Sequence, residues 1–117
     1  MGEFKVEVEE LDGRLHVFSL YGELDHATAP DLLEPLQAAI ESGVSAYLID
    51  LSDCDFIDST GLSVIVHARS QVVDEGDGRF ELCCPDSQIR RLLEITGIDE
   101  AFGIYETRDD ALAALAG

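Results

Sequence analysis

Two segments near the N-terminus alternate apolar and charged residues, the period-two pattern that is typical of β-strands. Residues 4–9 place an apolar side chain at every second position, and residues 15–21 form another extended run after an Asp12-Gly13 turn signal. These segments are predicted to pair as a hairpin with one edge in solvent. Three short apolar runs predict further strands of a sheet covered on both faces: 46–51, 80–84 and 102–105.

Apolar residues at intervals of three and four predict four helices that alternate with these strands. The first follows helix-start residues at 25–30 and ends at Gly43, and Pro35 inside it predicts a late start or a kink. The others are predicted over residues 60–73, over residues 86–96 and after a capping Thr107. This order indicates an α/β fold, a single domain over residues 1–117 with a mixed sheet of four to five strands and about four helices.

Composition is typical of one globular domain. The chain has 117 residues, of which 46% are hydrophobic, and only three prolines, so it can form one core and does not resemble a disordered chain. Its apolar runs are far shorter than the roughly 20 residues that cross a bilayer, and its N-terminus lacks the apolar region of a signal peptide. The protein is therefore expected in the cytoplasm.

The negative charge of the chain disfavours anionic partners. The net charge is −18, and no Lys or Arg lies between Arg14 and Arg69. Such a surface repels phosphates and lipid headgroups, so neither nucleic acid nor a membrane is expected as a partner. A basic protein surface fits better, although acids also serve simply to keep a small domain in solution. The acids of this interval are Glu23, Asp25, Asp31, Glu34, Glu41, Asp50, Asp53, Asp55 and Asp58.

The segment 58–62, Asp-Ser-Thr-Gly-Leu, places two adjacent hydroxyls where a buried strand gives way to a helix. The first turn of a helix leaves backbone N–H groups unpaired. Ser59 therefore either caps the helix, or carries a phosphate held by these donors and by the helix dipole. Gly61, Val64 and Ala68 are predicted on the outward side of the helix, where small residues allow a partner to approach closely.

Catalytic signatures are absent from the sequence, which contains no GxxxxGK[ST], GxGxxG, HExxH or GxSxG motif. His67 follows Ser59 by eight residues, about 12 Å along a helix, so it is too distant to act as its base. No enzymatic activity, small-molecule substrate or cofactor is therefore expected. A hydrolase that uses Ser59 or Cys83 is a minor alternative, which a panel of model esters and phosphoesters would test.

The candidate metal ligands and thiols also lack a recognisable pattern. Asp53, Asp55 and Asp58 do not have the spacing of an EF-hand loop. An odd number of cysteines without a CxxC pair favours neither a disulfide framework nor a zinc site. No metal site is expected, and a redox role is the minor alternative for Cys54, Cys83 and Cys84.

Three stretches of the chain are similar, in the same order, to segments of one known family. They are Gly22-Glu23-Leu24-Asp25 with Ala27-Thr28-Ala29-Pro30, Leu48-Ile49-Asp50-Leu51 through Phe56-Ile57-Asp58-Ser59-Thr60-Gly61-Leu62, and Leu92-Leu93-Glu94-Ile95-Thr96-Gly97-Ile98 to Phe102. With these stretches the chain resembles the STAS-domain anti-sigma factor antagonists from about Val6 to Leu115.

The resemblance implies a non-enzymatic switch in transcription regulation. While unphosphorylated, such a domain binds an anti-sigma factor and thereby frees a sigma factor. An anti-sigma factor with serine kinase activity phosphorylates it, and a metal-dependent serine phosphatase reverses the modification. By position the phosphorylated residue is Ser59, and Thr60 is the less favoured acceptor. The predicted partner-binding residues are Asp25, Asp58, Ser59, Thr60, Gly61, Val64 and Ala68.

A second hypothesis keeps the fold but changes the role. The chain is then a STAS scaffold or regulatory subunit of a larger signalling assembly. Oligomer size in solution, and survival of a Ser59 phosphate without any partner, would separate a scaffold from a switch.

Overall fold

The computed structural model describes residues 3–12 and 14–116, without the side chain of residue 87. The predicted turn residue Gly13, and residues 1–2 and 117 of the predicted domain, lie outside the described residues. Within them the elements are β1 (Lys5–Glu10), β2 (Leu15–Leu24), α1 (Ala29–Glu41), β3 (Ala46–Ile57), α2 (Ser59–Arg69), β4 (Arg79–Cys83), α3 (Ser87–Ile95), β5 (Gly103–Tyr105) and α4 (Arg108–Ala116).

The described strands form one mixed sheet in the order β1-β2-β3-β4-β5. β1 pairs with β2 as an antiparallel hairpin, and β2, β3, β4 and β5 run parallel. Each parallel neighbour is reached through a helix, as parallel pairing requires a crossover. The predicted α/β fold with a mixed sheet is confirmed.

The sheet is covered unequally on its two faces. The larger core packs α1, α2 and α3 on one face, where Leu36, Ile65 and Leu93 are almost fully buried. The smaller core on the other face lies under α4, whose Ala111 and Leu115 pack against three sheet residues, Val17, Leu48 and Cys83. Burying large aliphatic side chains contributes about 1.5–3 kcal/mol each, so both cores hold helices to the sheet.

β3 is longer than the predicted strand, because it continues through residues 52–56, three of which are polar, to Ile57. This second half pairs with the end of β2, with register shifts on both sides of Gly22. A register shift of one residue exchanges the faces of a strand, so Cys54 and Ile57 are both buried although they are three positions apart. Non-local pairing, rather than apolar alternation, determines this part of the strand.

Two helices differ from their predicted bounds. α1 begins at Ala29 and runs through Pro35, so of the two predicted effects of Pro35, a late start or a kink, the late start does not occur. Pro30 lies in the first turn, where the missing N–H costs nothing. α2 ends at Arg69, and a π-helical turn, Ser70–Asp74, replaces the last part of the predicted helix. The predicted cap of α4 is confirmed, because the Thr107 hydroxyl accepts a hydrogen bond from the Asp110 N–H at 3.0 Å.

Candidate functional site

The N-terminus of α2 is capped by Asp58 rather than by Ser59. Asp58 has extended backbone angles (φ −102°, ψ −177°), and its Oδ1 accepts a hydrogen bond from the Gly61 N–H at 2.9 Å. Its other oxygen, Oδ2, accepts from the His26 N–H at 3.1 Å. The carboxylate therefore joins the start of α2 to the turn after β2. Of the two alternatives for Ser59, the structure contradicts the capping role.

Ser59 is the first residue of α2, and its side chain is exposed. Among the described residues, its hydroxyl forms no hydrogen bond with another protein group, whereas its carbonyl oxygen accepts one from the Ser63 hydroxyl at 2.9 Å. Thr60 is exposed beside it. The backbone N–H groups of the first turn point to the same end of the helix, and the positive end of the dipole favours an anion there. Both hydroxyls are thus open to modification without unfolding.

A groove of about 500 Å³ extends from Ser59 along the exposed side of α2. Apolar atoms form most of its surface, and a Thr96–Ile98 turn after α3 forms its far wall. Two exposed aliphatic residues, Val66 (40%) and Ile95 (72%), lie on α2 and α3. Helical spacing alone does not reveal either residue: Val66 recurs four residues after Leu62 yet is exposed, and Ile95 lies off the side of α3 that buries Ile89 and Leu93.

The prediction that Gly61, Val64 and Ala68 face outward is wrong. Gly61 and Ala68 are buried, and Val64 packs partly buried against the larger core. A Cβ on Gly61 would lie 2.6 Å from Leu24 Cγ, so the glycine allows α2 to approach β2. These three residues lie on the inward side of α2. The helix exposes Ser59, Thr60, Ser63 and Val66 to solvent instead.

Asp25 lies in the turn between β2 and α1, next to the residue whose N–H binds Asp58. Its Oδ1 accepts hydrogen bonds from the Ala27 and Thr28 N–H groups at 2.9 and 3.0 Å. The bond from Thr28 is the main reason why the pKa of Asp25 is below its usual value, and the side chain is half-buried. Asp25 therefore shapes the turn and adds negative charge to the same end of the molecule.

The cysteines and histidines do not form a catalytic arrangement with Ser59. All three cysteines are buried and free, and burial raises the pKa of Cys54 and of Cys84 to about 11. Burial also raises the pKa of Cys83. The thiols are thus protonated at neutral pH and poor nucleophiles. Among the described residues, no hydrogen bond joins Ser59 to a histidine, although His67 lines the same groove.

Metal-binding clusters and membrane-spanning helices are both absent from the described part of the chain. Within residues 3–12 and 14–116, no three His, Cys, Asp or Glu side chains are grouped as metal ligands. None of the helices in these two ranges has the length and hydropathy needed to span a bilayer.

Comparison with known proteins identifies the family. A sequence model described as the STAS domain matches residues 5–111 of the chain. The chain belongs to the STAS-domain family. The anti-sigma-F factor antagonist RsfB of Mycobacterium tuberculosis is 32% identical over 101 residues, which cover 86% of this chain and 81% of that protein.

Solved structures of STAS proteins share the fold. A crystal structure of an anti-sigma factor antagonist from Mycobacterium paratuberculosis has a TM-score of 0.89 and 32% identity, over 98% of this chain and 96% of that one. The unphosphorylated antagonist SpoIIAA has a TM-score of 0.77 at 22% identity, over 97% and 99% of the two chains. This identity supports the fold alone. The predicted resemblance to anti-sigma factor antagonists is confirmed.

Proposed function

We propose that this STAS protein is an anti-sigma factor antagonist whose affinity for its partner is set by phosphorylation of Ser59. The observation that carries the proposal is the exposed Ser59 hydroxyl at the first turn of α2, at one end of an apolar groove. This hydroxyl has no hydrogen-bond partner within residues 3–12 and 14–116. The names of its relatives support the class of partner. In this role the chain acts in the cytoplasm and is a substrate and a ligand, not a catalyst.

The unphosphorylated form presents a neutral docking surface at this position. The exposed side of α2 carries short hydroxyls and Val66, and the groove beside it continues to Ile98. Such a surface fits an anti-sigma factor that contacts the hydroxyl closely and packs aliphatic side chains into the groove. Binding of the anti-sigma factor releases the sigma factor.

Phosphorylation changes the charge at the centre of this surface. A phosphate adds roughly −1.5 to −2 charges at neutral pH. The first-turn N–H groups and the helix dipole stabilise it, so α2 keeps its conformation. The partner then meets added bulk and an anion beside Asp58, where it had met a hydroxyl. An unpaired charge at an interface costs several kcal/mol, which predicts about a hundredfold loss of affinity or more.

The modification is tested by incubating the protein with the anti-sigma factors of the same organism that have a serine kinase fold, and with ATP. Mass spectrometry of the peptide that contains both hydroxyls then locates the phosphate. We expect it on Ser59 in the wild type, unchanged in Thr60→Val and absent from Ser59→Ala. Addition of a metal-dependent serine phosphatase should remove it. Transfer to Thr60 in the wild type would contradict the assignment.

The switch itself is tested with charge variants. Ser59→Asp should weaken binding to the anti-sigma factor about a hundredfold, and Ser59→Ala should keep binding while abolishing phosphorylation. The control is Ser45→Asp, because Ser45 is exposed at the opposite end of β3 and should not change affinity. Titration calorimetry measures all three. If Ser59→Asp binds as tightly as Ser45→Asp, the proposed switch is wrong.

A further inference from the structure

Phe56 exposes a large aromatic ring three residues before Ser59 in the sequence. Its relative exposure is 48%. The other large hydrophobic residues that are exposed in the described part of the chain are all aliphatic. Phe56 is the penultimate residue of β3, and Asp58 and Ser59 follow it directly after Ile57. Neither of the two buried clusters includes it.

The irregular pairing of β3 explains why the ring points outward. Gly22 pairs with Cys54, but the next residue of β2, Glu23, pairs with Phe56, so Asp55 has no partner across the strand. This extra residue exchanges the two faces of the strand and returns Ile57 to the core. Phe56 is left on the opposite face. The bulge therefore leaves about half of an apolar side chain exposed at a position set by the strand pairing.

The surroundings of the ring are anionic. Asp53 and Asp55 precede it on β3, Glu23 lies across the strand pair, and all three side chains are exposed. No Lys or Arg occurs between residues 14 and 69 of the sequence. Among the described residues, the cations that lie over aromatic rings are Lys5 and Arg69, on Tyr21 and Phe102. An aromatic group bordered by carboxylates is suited to an apolar pocket bordered by basic side chains.

We propose that Phe56 is an anchor of the interface with the anti-sigma factor, inserted into an apolar pocket of that partner with a Lys- and Arg-rich border. This inference rests on the proposed function and extends its surface from α2 to the end of β3. Charge disfavours a second copy of this chain as the occupant, because it would bring Asp53, Asp55 and Glu23 against their own equivalents.

The first test is truncation of the ring in the full chain, with the purified anti-sigma factor that phosphorylates Ser59 as the probe. Phe56→Ala should weaken binding about thirtyfold or more, the size of an interface hot spot, and Phe56→Leu should lose less. The control is Leu11→Ala. Leu11 has nearly the same exposure (46%) and directly follows β1, at the turn of the β1–β2 hairpin. This variant should bind like the wild type. Thermal unfolding establishes that all variants are folded.

The second test separates the anionic border from the ring. Asp53→Asn combined with Asp55→Asn should weaken binding and flatten its dependence on salt, whereas Phe56→Ala should leave the salt dependence unchanged. If Ser59→Asp abolishes binding and Phe56→Ala does not weaken it, the inference is wrong and the proposed function stands. If the wild type binds no anti-sigma factor, both fail. A dimer of the wild type that Phe56→Ala dissociates would show that a second copy occupies the surface.

Discussion

Asp58 and Gly61 determine the local structure of the candidate site, whereas Ser59 is its proposed modification residue. The Asp58 carboxylate binds two backbone donors from different elements, the N–H groups of Gly61 and His26. Gly61 removes the side chain that would separate α2 from Leu24. Ser59 is left exposed between them, because its neighbours satisfy the structural requirements of the helix start.

Gly61→Ala should destabilise the fold by about 1–2 kcal/mol. The added methyl group would meet Leu24 Cγ at 2.6 Å, and this overlap outweighs the roughly 1 kcal/mol by which alanine favours a helix. Urea denaturation measures the loss. Combining the change with Leu24→Ala should cost less than the sum of the two single changes, because truncation makes room for the methyl group. Additive losses would show that the close approach to Leu24 does not explain the glycine.

Asp58 variants test the link between α2 and the turn after β2. Asp58→Ala should cost about 1–2 kcal/mol, since it removes the helix cap and the acceptor for His26. Asp58→Asn should cost less, because the amide oxygen still accepts the Gly61 N–H while the amide nitrogen cannot accept from His26. Denaturation gives the free energies, and hydrogen exchange of the two amides locates the loss. Equal destabilisation by Asn and Ala would contradict a capping role.

Elements were predictable from the sequence where local periodicity decides them. The β1–β2 hairpin, α3 and α4 appear near their predicted positions, since alternation, capping residues and Gly97 mark them. The second half of β3 was not predictable, because residues 52–56 are largely polar and form a strand only by pairing with β2.

Features of the candidate site that depend on non-local contacts were likewise not predictable from the sequence. The motif located Ser59, but two adjacent residues are both good caps, and only the extended backbone of Asp58 decides which one caps α2. Helical periodicity gave a wrong outward side for α2, because a helix between a sheet and α1 buries more than one stripe. Gly61 and Ala68 therefore contact the protein itself. The exposure of Phe56 depends on a bulge that no local pattern indicates.

Carboxylates follow three of the parallel strands at the end of the sheet that carries Ser59. Parallel strands place their carboxyl ends on one edge of the sheet, and Asp25, Asp58 and Asp86 each follow such an end. Arg14 and Arg79 lie at the amino ends of β2 and β4 instead. The proposed phosphate at Ser59 would lie beside Asp58 and make this end of the sheet more negative.

On the face of the sheet that α4 covers, Arg108 at the start of α4 binds side chains on three strands. Its guanidinium donates to Glu9 on β1 at 3.0 Å, to the Ser19 hydroxyl on β2 at 2.7 Å and to Asp50 on β3 at 3.1 Å. Asp50 is buried, and burial alone would raise its pKa. Hydrogen bonds from Ser52 and from Arg108 outweigh burial, so the pKa of this carboxyl lies below its usual value.

Asp50 should make stability dependent on pH in the acid range. Because its pKa is lower in the folded state, its contribution is complete above the unfolded pKa of about 3.9 and is lost as the pH falls through the folded value. Asp50→Asn keeps the size of the side chain but cannot ionise, so the wild type should be more stable than this variant at pH 7. The difference should shrink as the pH falls from about 4 to below the folded pKa, where the wild-type carboxyl is also neutral. Urea denaturation of both proteins at several pH values measures it, and the comparison cancels the effect of the other acids. A difference that stays constant down to pH 2 would show that the charge of Asp50 does not hold Arg108 and α4 in place.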